Sequence, residues 1–93
     1  MEEFKFRVQH MSYVPPRNWW SLDGRLEVGL RIAVGDDAMV NGDPSLPVKI
    51  SAIPLVSRAQ DDLFSICIHA PPFPPEKLKG ALIIGFHNPE GRG

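Results

Sequence analysis

The stretch Arg25-Leu26-Glu27-Val28-Gly29-Leu30-Arg31-Ile32-Ala33-Val34 decides the fold class, because its apolar residues recur at every second position. A period of two sets Leu26, Val28, Leu30, Ile32 and Val34 on one face and Arg25, Glu27, Gly29, Arg31 and Ala33 on the other, as in a strand with one wet side. The runs on either side repeat the signal. Phe4, Phe6 and Val8 alternate with Lys5, Arg7 and Gln9 until the apolar set shifts parity to Met11 and Tyr13, which predicts a bulge or sharp bend near His10 in a strand over 4–14. Val48, Ile50 and Ala52 begin a strand over 48–56, with Pro54 marking an edge position or a change of partner. Phe64, Ile66 and Ile68 oppose Ser65, Cys67 and His69 in a strand over 63–70. The last run, 81–87, is apolar on both faces, which predicts the deepest strand, beside 63–70.

Between these runs lie the breakers. Eight of the ten prolines cluster at Pro15-Pro16, at Pro44 and Pro47, and at Pro71-Pro72-Phe73-Pro74-Pro75, where connections need no ladder hydrogen bond. Asp23-Gly24 reads as a turn leading into the strand over 25–34, and 36–47 reads as the longest loop. Residues 57–62 suit one helical turn or a loop, 75–79 suits a helical turn, and 88–93 reads as a flexible tail. The expectation is therefore a mainly β, single domain over 1–93. It is a small antiparallel sheet of about five strands, built as a partly closed barrel, a compact sandwich, or a curved sheet completed by dimerising.

Composition narrows the function classes. A chain of 93 residues buries only roughly 60 to 65% of its unfolded surface, so its core is thin and self-association would help it. Ten Lys and Arg against eleven Asp and Glu give a net charge of -1 with no basic run, which argues against nucleic acid as a partner. One cysteine, Cys67, excludes an intrachain disulfide, and no apolar run reaches the roughly 18 residues of a membrane span. With a charged N-terminus, a cytoplasmic location and no membrane partner are expected.

Candidate chemistry is sparse. Cys67 and His69 share one strand face, and His87 would join them if the strands over 63–70 and 81–87 paired; with His10 these are the weak candidates for a soft metal or an activated thiol. They lack the close paired spacing of specific metal motifs, so the alternative of a small metal- or thiol-dependent enzyme ranks below a structural reading, and no cofactor is expected. Asp36, Asp37, Asn41 and Asp43 lack the spacing of a cation loop, Gly24, Gly29 and Gly35 lack that of a phosphate loop, and no serine sits in a nucleophile elbow.

What remains is aromatic surface. Trp19 and Trp20 beside Arg17 are hard to bury together in a thin core, and Phe73 stands on a stiff proline stem. The chain is expected to be a non-catalytic protein-interaction or assembly module, a homo-oligomer, using Arg17, Trp19, Trp20, Phe73 and an exposed strand edge. A second alternative is a single-strand nucleic-acid-binding barrel that stacks Trp19, Trp20 and Phe73 on bases, and it suffers from the missing basic groove.

Overall fold

The computed structural model of the chain describes residues 2–29, 31–53 and 64–87. Six strands occur in it: β1 Glu2–Val14, β2 Trp19–Val28, β3 Asp37–Val40, β4 Pro47–Ala52, β5 Phe64–His69 and β6 Leu82–His87. Two 3-10 turns, Pro15–Arg17 and Pro75–Leu78, join them, the second at the helical turn expected over 75–79. The strands close into an antiparallel barrel in the order β1-β2-β5-β4-β3-β6, with β6 returning to β1. Because β3, β4 and β5 are consecutive neighbours while β2 lies beside β5 and β6 beside β3, the barrel contains two overlapping Greek keys. A small antiparallel β-domain was expected, and the barrel is fully closed.

Alternation fills the interior. Phe4, Phe6, Val8, Leu22, Ala38, Val40, Val48, Ile50, Ile66, Ile68 and Ile83 point inward and are buried, and Leu78 from the second 3-10 turn joins the same cluster with Ala81. Two phenyl rings in so narrow a barrel need empty space opposite them, and glycine supplies it. A Cβ at Gly24 would overlap the Arg7 carbonyl and sit 3.1 Å from Phe6 Cζ, and one at Gly85 would sit 2.7 Å from Phe4 Cζ.

Several boundaries differ from the sequence reading. The run over 25–34 is not one strand: β2 ends at Val28, and Val34 is 59% exposed. The chain leaves the sheet at Gly29, whose φ of +92° lets it pass close over Phe4. The register with β1 runs to Lys5 opposite Val28, and β1 continues from there to Glu2 paired with β6. Leu26 and Ile32 still pack on the core while Val28, like Val34, is exposed, so the period of two ensures neither an apolar face buried along its length nor a ladder, which needs a partner strand as well. The missing length lies upstream. Trp19 to Gly24 forms the first part of β2, and Asp23-Gly24 is paired with His10 and Val8 in mid-strand, not in a turn.

The loop expected over 36–47 contains β3, which turns into β4 through Asn41 and Gly42, both at positive φ, as suits an Asn-Gly hairpin. The carboxylate of Asp43 accepts the Ser45 N–H at 2.9 Å, which holds its carboxyl below the usual range. The bulge expected near His10 is present as a register shift between Val8 and His10. β6 does not lie beside β5, and it is not the deepest strand. It pairs with β1 and β3, and as a barrel wall it buries Ile83 while leaving Phe86 49% exposed. The change of partner expected at Pro54, the turn or loop over 57–62 and the tail over 88–93 lie outside the described residues. Among the described residues no helix is long and apolar enough to cross a membrane.

Candidate interaction surface

Every neighbouring pair is antiparallel, so β1, β5 and β3 run one way and β2, β4 and β6 the other. One end of the barrel therefore gathers the β1–β2 connection, the β3–β4 hairpin and the proline-rich segment between β5 and β6. Arg17, Trp19, Trp20 and Phe73 all belong to that end.

The β1–β2 connection is tight. After the turn Pro15–Arg17, Asn18 takes φ 54° and its N–H donates to the Pro15 carbonyl at 3.1 Å, which lets Val14 pair directly with Trp19. Asparagine tolerates this left-handed backbone better than a branched residue would. The Asn18 carbonyl accepts the Ala70 N–H at 2.9 Å, and its side-chain oxygen accepts the Tyr13 hydroxyl. Asn18 thus ties the tip of the hairpin to the end of β5. Sequence reading gave Asn18 no role and used Tyr13 only as an apolar position of the strand, although an asparagine after a Pro-Pro pair is a turn signal.

The two indoles face opposite ways, as neighbours on a strand must. Trp20 points toward the interior, packs on the core at its rim, and lies with its ring 5.3 Å from that of Tyr13. Trp19 points outward. The Arg17 guanidinium lies 5.3 Å from its ring centre, and the His69 ring meets it edge-on at 6.1 Å. Both indoles are half-buried, so neither is sealed inside. A cation over an exposed indole contributes about 0.5–1 kcal/mol, enough to order Arg17 on that face. Phe73 packs partly on the core, and Pro74, at φ -61° and ψ 133°, is extended as its neighbouring prolines favour.

The metal and thiol candidates are dispersed. His69 turns to Trp19, and His87 lies at the opposite end of the barrel, where its Nδ1 is 3.1 Å from Asp36 Oδ2. The same Asp36 oxygen accepts the Ala33 N–H at 2.8 Å, so Asp36 closes the 33–36 turn and holds His87 with one atom. The expected convergence of His87 with Cys67 and His69 fails because β5 and β6 are not neighbours. Cys67 sits in an outward row with Ser12 and Ser21, is 5% exposed, and its thiol is pushed above the ordinary value by burial. That shift opposes the thiolate a nucleophile needs. His10 is exposed on β1 opposite Asp23, whose carboxylate accepts the Ser65 hydroxyl. Among the described residues no three His, Cys, Asp or Glu side chains form a metal-binding group.

One further apolar surface lies on the outer wall. A shallow depression of about 290 Å³ between β3, β4 and β6 is lined by Met39, Pro47, Ile84 and Phe86 among others. It accounts for the second apolar face of β6. No protein-family model, curated protein or solved structure matches this chain.

Proposed function

We propose that the chain is a non-catalytic protein-interaction module that self-associates through the barrel end carrying Arg17, Trp19, Trp20 and Phe73. The observation that supports this reading is the pair of half-buried indoles on a short, hydrogen-bonded hairpin, one flanked by Arg17 and His69 and the other by Tyr13. Large rings held rigidly before binding contribute contact area at little entropic cost, and tryptophan and arginine are enriched at the energetic centres of interfaces. A second copy is the favoured partner because a chain of 93 residues has a thin core to which association adds burial. A cytoplasmic setting suits a single free, buried cysteine.

Light scattering on the wild-type chain and on Trp19→Ala tests the reading. The expected result is a mass that rises with concentration above 10.3 kDa in the wild type and falls back toward it in the variant. A wild-type mass fixed at the monomer value at every concentration overturns self-association.

A further inference from the structure

We infer that the edge of β1 from Gln9 to Val14 is where a second copy of this chain adds its own β1, antiparallel across a two-fold axis. The inference rests on the self-association reading and adds a strand edge beside the aromatic end to the surface that carries it. β6 closes the barrel only along Glu2 to Arg7 of β1, and the next bond on that side runs from the Val8 N–H to the Ala81 carbonyl at 2.9 Å. Beyond Val8, β1 continues for six residues. It ladders with β2 from His10 opposite Asp23 to Val14 opposite Trp19, and its other edge has no backbone partner among the described residues. Gln9, His10, Ser12 and Tyr13 are exposed along it.

An open edge on a strand already held in a sheet is a template for another strand. Native edges are ordinarily blunted by charge or proline, and Gln9-His10-Met11-Ser12-Tyr13-Val14 contains no Lys, Arg, Asp, Glu or Pro. The bulge between Val8 and His10 lies at the start of this run and leaves the rest regular. A second copy fits because two identical antiparallel strands related by a two-fold axis present each other with the same alternating N–H and C=O groups. An uncharged run also meets itself without repulsion. The resulting sheet, β5-β2-β1 continued into the same strands of the second copy, carries the Tyr13–Trp20 contact next to the junction.

Symmetry fixes which side chains meet. Across a two-fold axis normal to the sheet, opposed residues lie on one face and share parity, so His10 and Ser12 meet each other, themselves or Val14. The test compares the wild type, a His10→Lys/Ser12→Lys variant and a His10→Glu/Ser12→Glu variant by sedimentation at low salt. The expected result is a dimeric wild type, a dissociation constant raised about tenfold or more in each charged variant, and a dimer restored on mixing the two. Ser12→Lys alone, at an exposed hydroxyl, gives the same readout where a double variant fails to fold. Charged variants that dimerise as tightly as wild type, or whose mixture stays monomeric, overturn the edge assignment while association through the aromatic end stands. A wild type that is monomeric at all concentrations overturns both.

Discussion

Gly24→Ala separates the barrel described here from any arrangement in which Asp23-Gly24 is a surface turn. Gly24 pairs with Val8 of β1 on one side and Phe64 of β5 on the other, so both of its backbone neighbours are fixed. A methyl group there would overlap the Arg7 carbonyl, with the carbonyl carbon 2.9 Å and Phe6 Cζ 3.1 Å from the new atom. The obstruction is mainly backbone, which cannot rotate away as a side chain end can, so the cost falls at the upper end of overpacking, about 3 kcal/mol. For a domain whose whole stability is roughly 5–14 kcal/mol at this length, that lowers the melting temperature by roughly 12–24 °C. Gly80→Ala is the reference, because Gly80 has φ +67° with nothing within 4 Å and should lose only about 1 kcal/mol, through backbone strain. Urea denaturation followed by circular dichroism measures both. If Gly24→Ala is no less stable than Gly80→Ala, the close approach of β1 to β2 at Gly24 is wrong, and with it the register of the closed barrel.

Three further outcomes follow from the same contacts. Asp36→Ala leaves the Ala33 N–H and the His87 ring nitrogen without their acceptor and should lose about 2–3 kcal/mol in urea denaturation, whereas Asp36→Asn, which keeps an accepting oxygen, should lose less. Trp20→Ala removes a ring packed on the core and should cost about 2–3 kcal/mol, against less than about 1 kcal/mol for the outward Trp19; the reverse ranking contradicts the assigned faces. Burial raises the Cys67 thiol, so alkylation of the folded protein near neutral pH should be far slower than that of a free cysteine. The unfolded chain loses this proton first, near 9.0, so stability should fall as pH climbs through and above that value, and Cys67→Ala should flatten the decline.

Fold class was legible because burial alternates with the pleat in Phe4–Val8 and Val48–Ile50, and that alternation survives in the barrel wall; in β5 only the polarity alternates, since Ser65 and Cys67 are buried along with Ile66 and Ile68. Partnering was not legible. Leu26 to Val34 alternates as well as any strand, yet among the described residues only those up to Val28 ladder with β1, because the chain turns out of the sheet at the positive-φ Gly29. Strand pairing is a non-local property, and the order that sets β6 beside β1 and β3 leaves no local trace in residues 81–87. The β3–β4 hairpin did leave one: Asn41-Gly42 is a strong turn signal flanked by Ala38-Met39-Val40, hidden by the polar residues around it. At the candidate surface, Arg17, Trp19, Trp20 and Phe73 stood out as bulky groups in connecting segments. The ties that order them, through Asn18 to Tyr13 and Ala70, depend on β5 arriving alongside. Likewise the partner of His87 is 51 residues away, and spacing carries no hint of it.

Amide hydrogen exchange, compared residue by residue between dilute and concentrated solutions, tests association through this end most directly. The expected result is slower exchange at high concentration confined to the open edge of β1 at Gln9 to Val14 and to the neighbouring segments Arg17–Trp20 and Ala70–Phe73, with β3, β4 and β6 unchanged. Identical profiles at both concentrations, or protection that appears on the outer wall around Ile84 and Phe86 instead, would contradict it.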